Sequence, residues 1–373
     1  MKISIGIMTD GEPIFKNIGD YNILQNQLIG CGFHWQRTIS SKLPGVLHPT
    51  GDSEFPLVNT IDIETYLECV VGSEMNPDAP LEFLKTHSII SRSWAVGKVL
   101  GCHAHSNEGK ILSDDELRTW EDTADHIGFD VCSDDHCQRY QGIQPLTDKA
   151  KEAIRATSGL IIADADGNPV DARFSKCCGG RTETFDTCWQ DIHPASIESV
   201  KDPWCDVTAL DVKERDAFLQ TVLKDYDRST EGGYRWRAVV SATEIEEYLQ
   251  SKFGINIGHI INLIPLERGA SGRIKRLLFK GDKGDVIIGK ELMIRKALAP
   301  THLYSSWFDI ERPSHDMFIL NGRGWGHGVG LCQVGAARMA QAGHSAEEIL
   351  HFYYPGCRIE RMEESDEITD NER

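Results

Sequence analysis

Glycine occupies every second position from Gly322 to Gly330 in the run Asn321-Gly-Arg-Gly-Trp-Gly-His-Gly-Val-Gly-Leu-Cys-Gln-Val-Gly335. Without Cβ, glycine allows close approach of backbone to backbone or ligand and tolerates φ > 0. Such a run makes a poor strand and a worse helix. It predicts a tightly placed backbone that presents Arg323, Trp325 and His327 on the wall of a site. The plainer alternative is a glycine-rich buried loop packed on a neighbour. A dinucleotide site is excluded, because after Gly328 and Gly330 the third position of G-x-G-x-x-G is Gln333. Gly284-Asp-Val-Ile-Ile-Gly289-Lys290 imitates a phosphate loop, but Glu291 stands where Ser or Thr is needed and the interior is strand-like.

A chain of 373 residues with 40% hydrophobic content can bury a sizeable core and suggests two or three domains. A formal net charge of −18 argues against nucleic acid and anionic membranes as partners. No apolar run approaches the roughly 18 residues of a membrane span. The start, Met1-Lys-Ile-Ser-Ile-Gly-Ile-Met8, is broken by Thr9-Asp10-Gly11-Glu12-Pro13 and lacks a signal-peptide core, so the expectation is a soluble chain without an export signal. The 11 cysteines cluster as Cys132/Cys137 and Cys177/Cys178, which suggests metal ligation or reduced thiols rather than a disulfide framework.

The pattern predicts an α+β fold with mixed helices and short antiparallel strands around a cleft, without the rhythm of a doubly wound sheet. Residues 1–54 read as strands and loops. Residues 55–358 form the main region, in two lobes near 55–160 and 161–358, and 359–373 is an acidic, frayed tail. Helices are expected over Asp62–Val71, from Pro80 to about Leu100, over Glu214–Asp225, over Thr243–Lys252 before Gly254, and over Ala346–Tyr354 behind the Ser345–Glu348 capping box. A second capping box, Ser113–Glu116, predicts a helix reaching Gly128, and Thr147 caps another that Gly159 ends. Leu160–Ala163 and Val170–Phe174 flank Asp166-Gly167 as a hairpin. Arg273–Ile288 reads as two strands around Gly281–Gly284, and Met317–Leu320 as a strand feeding the glycine run.

Several groups could carry chemistry. Glu74 sits between two predicted helices beside Met75, and a carboxyl group held against apolar neighbours can donate a proton near neutral pH. Lys85 and Arg92 lie two turns apart on one helical face and could pair with an anion. The bland reading is a capping carboxylate and a solvated basic face. His126, Cys132, His136 and Cys137 offer four ligands for a tetrahedral zinc, and a closed set of four would be structural. Cys102-His103-Ala104-His105 is a rival ligand source or a solvated loop. Cys177, Cys178 or Cys332 as thiol nucleophile, with His327 as base, has no support from spacing.

Four blocks together resemble the SpoIID/LytB family of sporulation stage II protein D and amidase-enhancer proteins. They are Gly72–Ala95 with its Glu-Met pair and Pro-Leu-Glu-x-Leu-Lys start, Phe129–Gly142 with its Cys/His segment, Cys178-Gly-Gly-Arg-Thr-Glu183, and Gly322–Ala336 with Glu347–Gly356. The resemblance implies a lytic transglycosylase that cleaves MurNAc–GlcNAc bonds of peptide-free peptidoglycan strands. Glu74 matches the family's acid/base, and the product is a 1,6-anhydro sugar, so one carboxylate suffices where most glycosidases need two. It also implies zinc on His126, Cys132, His136 and Cys137. Lys85, Arg92 or Arg323 is expected to pair with the free lactyl carboxylate of MurNAc, and His327 and Gln333 to contact substrate. Trp94, Trp236 and Trp325 could stack on sugars or serve as core anchors. Cys332-Gln-Val-Gly335 departs from the family's Ser-Gln-Tyr-Gly. The alternative function is glycan binding that activates a cell-wall amidase. The family implies the cell envelope, which the expected lack of an export signal opposes.

Overall fold

The computed structural model describes residues 1–33, 35–102, 109–121, 126–224 and 233–362, so 363–373 of the predicted tail and His103–His105 lie outside the described residues, while Arg358–Arg361 is a paired strand rather than the start of a frayed tail. The described fold is α+β. Its helices are α1 (Ile63–Glu74), α2 (Leu81–Val99), α3 (Asp148–Ala156), α4 (Val212–Val222), α5 (Ala242–Phe253), α6 (Glu291–Ala297), α7 (Gln333–Gln341) and α8 (Ala346–Tyr353).

Local chemistry explains the helix ends. Asp62 caps α1 by accepting from the Thr65 amide, and Thr147 caps α3 by accepting from the Ala150 amide. Ser241–Glu244 and Ser345–Glu348 form reciprocal capping boxes on α5 and α8. Gly254 ends α5 in the left-handed region. Helix α2 is buried on nearly every side from Phe83 to Gly97. Its hydroxyls are satisfied internally: Thr86, Ser88 and Ser93 donate to the carbonyls of Glu82, Leu84 and Ile89 at 2.7–2.8 Å. Full burial of a side chain such as Phe83 or Ile90 contributes about 1.5–3 kcal/mol.

Three larger apolar cores form among the described residues, beside a small cluster of Phe185, Cys188, Ile197 and Val329. One joins α2, α3, α7 and α8 through Phe83, Ile90, Ile154, Val334 and Ile349. A second lies under the strands Ile260–Arg268, Ile274–Gly281 and Asp285–Gly289. The third surrounds strand Lys2–Ile7, which pairs antiparallel with Leu57–Asp62 and parallel with Val131–Cys132. That last pairing seats the Cys/His segment on the N-terminal strand. A sheet of Phe15–Ile18, Tyr21–Ile29 and Arg37–Pro44 flanks it.

Three expectations are corrected. Ser113–Glu116 opens no helix; it is the turn between strands Ile111–Leu112 and Glu116–Arg118. The Ser113 amide donates to the Glu116 carbonyl at 3.0 Å, and Glu116–Arg118 pairs with Ile287–Gly289, so a neighbouring strand takes the bonds a helix would use. The Asp166-Gly167 turn forms, but beyond the single bridge Ala163–Pro169 the chain diverges. Leu160–Ala163 pairs instead with Arg358–Arg361. Helix α1 continues past Val71, which makes Glu74 its last helical residue rather than part of a loop.

Candidate active site

The glycine run is both a close-packed backbone and a site wall. It leaves strand Met317–Arg323 and wraps a fully buried guanidinium, that of Arg273. Arg273 donates to the carbonyls of Gly326 and Cys178 and to Ser271 Oγ. Gly328 has φ +78°, and a Cβ there would sit 2.4 Å from Arg273 Cζ. Gly330 has φ +70°, with the Arg173 carbonyl 2.1 Å from where a Cβ would be. Only glycine fits either place. The run then pairs in parallel with a second segment: Leu331 opposes Phe174 and Cys332 opposes Ser175. This brings Ser175 and Lys176 beside Trp325, Gly326, His327 and Gln333.

These two segments form one wall of a cleft of about 320 Å³. The other wall is Asp134–Arg139 together with Cys31, Gly32, Phe33 and Trp35 of the N-terminal region, and Glu74 also lines the cleft. Trp35, Trp94, Trp120, Trp189 and Trp325 all line it, as does Arg295. Glu74 is 6% exposed. Its Oε1 accepts the Arg139 backbone amide at 2.9 Å, and the Arg139 guanidinium stands 3.9 Å from its Oε2. The carboxyl thus meets a backbone amide and a guanidinium rather than the purely apolar setting expected for it. Arg139 also pairs with Asp135 at 2.5 Å, and burial pushes the Asp135 carboxyl up to about 7 against the pull of Arg139. Lys176 Nζ donates to the Glu74 carbonyl at 3.4 Å. Ser175 Oγ is buried without a hydrogen-bond partner among the described residues.

Two histidines are held neutral beside the cleft. Burial, then Arg173, Arg273 and Arg295, push His327 down to about 3, and its Nδ1 accepts the Val329 amide at 3.0 Å. Burial, then Lys176, push His87 down to about 3; its Nε2 meets Gln333 Nε2 at 3.0 Å and fixes that amide at the cleft. Each folded histidine releases its proton more readily than the unfolded chain, whose value is near 6.5. Unfolding therefore takes up protons as pH falls, and stability is lost between about pH 6.5 and 3, by about 1.4 kcal/mol per unit from each. In urea titrations across this range, we expect His87→Gln to flatten the slope relative to wild type.

The predicted residues divide sharply. Glu74, His327, Gln333, His136 and Cys137 line the cleft, as do Trp94 and Trp325. Lys85, Arg92 and Arg323 do not. Lys85 pairs with Glu82 one helical turn away. Arg92 is fully buried and forms a bidentate pair with Glu64, at 2.8 Å for both contacts. Arg323 is exposed and lies over Trp307. Trp236 donates to the Gly324 carbonyl and packs on the second core. The cations that do line the cleft, Lys176, Arg139, Arg173, Arg295 and Lys296, were missed; the strand pairing that places Lys176, for one, is non-local. Arg139 had a sequence signal, its position two residues after Cys137.

His126, Cys132, His136 and Cys137 present ligand atoms all within 4.8 Å of one another. His126 Nε2 is 3.3 Å from Cys137 Sγ, and His136 Nδ1 is 3.8 Å and 3.9 Å from the two sulfurs. Cys102, the rival source, is exposed elsewhere. Asp134 anchors this loop by accepting the Gly30 and Cys31 amides at 2.6 and 2.8 Å. Cys332 and His327 do not pair; Cys332 belongs to a separate thiol cluster.

The Stage II sporulation protein family matches residues 51–163, and a domain of unknown function (DUF8618) matches residues 183–330. An uncharacterized protein of Brachyspira hyodysenteriae is 28% identical over 310 residues, 81% of this chain and 68% of that protein. Stage II sporulation protein D of Bacillus subtilis is 26% identical over 312 residues, 81% of this chain and 75% of its own. The amidase enhancer of Bacillus subtilis is 23% identical over 320 residues, 79% of this chain but 40% of its own length. The family match falls on the segment that carries both Glu74 and the Cys/His loop, and together with these relatives it supports the resemblance to the SpoIID/LytB family read from the sequence.

Proposed function

We propose that the cleft binds peptidoglycan glycan strands outside the cytoplasm and that Glu74 cleaves them as a lytic transglycosylase. The observation that carries this reading is a buried carboxyl group, fixed by the Arg139 amide, in an aromatic-walled cleft. Indole faces suit the apolar faces of sugars. Glu74 protonates the oxygen between MurNAc and GlcNAc, the glycosidic bond breaks, and the carboxylate then accepts the proton of the MurNAc C6 hydroxyl as that oxygen closes on C1. The proton gained balances the proton given, and no water is consumed. Ser175 and Gln333 supply hydrogen-bonding groups at the same wall.

The Cys/His loop fits a structural zinc, whose four ligands would be His126, Cys132, His136 and Cys137 and whose role would be to hold the loop. Arg139 follows Cys137 directly enough that fixing the ligands fixes the amide bonded to Glu74. Lys176, rather than Lys85, Arg92 or Arg323, is positioned to pair with the lactyl carboxylate of a peptide-free MurNAc. We expect Lys176→Met to cut kcat/KM on peptide-free strands about 10-fold or more, a loss that carboxyl-reduced strands do not show; the comparison is made by product quantitation.

The amidase-enhancer relative favours a second reading, in which the cleft binds glycan and activates an amidase without cleavage. Asp135 beside Glu74 also raises ordinary hydrolysis by two carboxylates. Mass spectrometry of products from peptide-free strands separates all three. Fragments one water lighter than hydrolysis products support the transglycosylase. Water-added fragments support hydrolysis, and intact, bound strands support the activator.

A further inference from the structure

We propose that Cys178, Asp202, Cys205 and Cys332 form a second zinc site, which pins the Lys176–Gln333 wall of the cleft. Their ligand atoms lie within 4.8 Å of one another and all four residues are buried. Cys178 Sγ is 3.4 Å from Cys205 Sγ and 3.2 Å from Asp202 Oδ2. A tetrahedral zinc with bonds of about 2.3 Å to sulfur needs ligand separations of about 3.8 Å, so small shifts would close the site. These thiols are not disulfide-bonded: all the described cysteines are free, and 3.4 Å far exceeds an S–S bond of about 2.05 Å.

The surroundings suit a metal more than a set of idle thiols. Asp202-Pro-Trp-Cys205 spaces two ligands as a chelating turn does. Asp202 Oδ1 accepts the Trp204 and Cys205 amides at 2.9 and 3.2 Å, while Oδ2 accepts the Tyr353 hydroxyl at 2.9 Å. Cys332 caps α7, and its sulfur accepts the Gly335 and Cys178 amides at 3.4 and 3.2 Å. Such donors stabilise thiolates and orient ligands. Gly335 has no room for a side chain, since a Cβ would lie 2.4 Å from Asp202 Oδ2. Three thiolates and a carboxylate select zinc among common divalent ions, and four protein ligands leave no open position, so the site is structural. Its ligands come from three separate segments: the stretch that follows strand Phe174–Ser175 and carries Lys176, the turn at Asp202, and the start of α7 carrying Gln333. Metal at this site therefore holds one wall of the cleft, as the Cys/His loop holds the other. Cys177 adjoins Cys205 and Cys332, so variants are best made at those two positions.

The test is metal content by elemental and native mass spectrometry, on protein purified with zinc and then desalted. Wild type should hold two equivalents. Cys132→Ser/Cys137→Ser should hold one, and its cobalt-loaded form should show thiolate-to-cobalt charge transfer and tetrahedral bands. Cys205→Ser/Cys332→Ser should also hold one, without those three-sulfur bands. If either double variant fails to fold, the other decides. A Cys132→Ser/Cys137→Ser protein with no metal, a Cys205→Ser/Cys332→Ser protein with undiminished metal, or a Cys178–Cys205 disulfide in unreduced peptide maps overturns the proposal. None of these readouts involves glycan cleavage, so the second site stands or falls apart from the proposed activity.

Discussion

Glu74→Gln is expected to leave a folded protein that binds glycan strands but cleaves them about 10³-fold more slowly, or not at all. The substitution is nearly isosteric, and its amide oxygen can still accept the Arg139 backbone N–H that holds Glu74 Oε1 at 2.9 Å. What it loses is the transferable proton. Positioned acid/base groups contribute about 10²–10⁴-fold each, and here one carboxyl would act twice, as acid and then as base. The measurement is product mass and initial rate on peptide-free strands, with strand binding and thermal melting measured on the same preparation. Retained cleavage with normal folding would shift the chemistry to Asp135, the other carboxyl paired with Arg139. If neither wild type nor variant cleaves, yet both bind and stimulate an amidase equally, the activator reading wins.

Arg92→Ala is expected to destabilise the protein by about 3–5 kcal/mol in urea unfolding, without changing the preference for peptide-free glycan in the folded fraction. Arg92 joins three elements. Its guanidinium pairs with Glu64 on α1 and donates to the Leu160 carbonyl at 2.9 Å, while Glu64 also accepts the Gly159 amide at 3.2 Å. Removing one partner of a buried pair leaves the other uncompensated and opens a void the size of the side chain. Glu64 is partly open, so it can recover some hydration, and Arg92→Ala/Glu64→Ala should cost less than the sum of the single changes. A folded Arg92→Ala protein of normal stability but altered glycan preference would return Arg92 to the substrate.

What could be read in the sequence was whatever depends on neighbours along the chain. The reciprocal capping box at Ser345 and the caps at Thr147 and Gly254 are settled within one turn, and the structure has them. Ser113–Glu116 shows the limit, because the same four-residue signal became a turn once the distant strand Asp285–Gly289 supplied partners for Glu116–Arg118. The site divides in the same way. Glu74 and the Cys/His loop are compact motifs and were visible. Lys85 and Arg92 looked like an anion pair from their helical spacing, yet burial and nearby carboxylates claimed both. Lys176 carried no local signal, and only the pairing of Phe174–Ser175 with Leu331–Cys332 brings it to the cleft.

The cleft draws its lining from Cys31, Glu74, Arg139, Lys176, Arg295, His327 and Gln333, so contributions span almost the whole length of the chain. No fragment holds the full set, and the parallel pairing beside Lys176 cannot form until the last block has been synthesised. Pairings this distant in sequence pay their loop-closure entropy before any contact rewards them, and so form late in folding. If the cleft binds glycan as proposed, a nascent or partly unfolded chain would be inert toward it, and the ability to bind would arrive only with the finished fold.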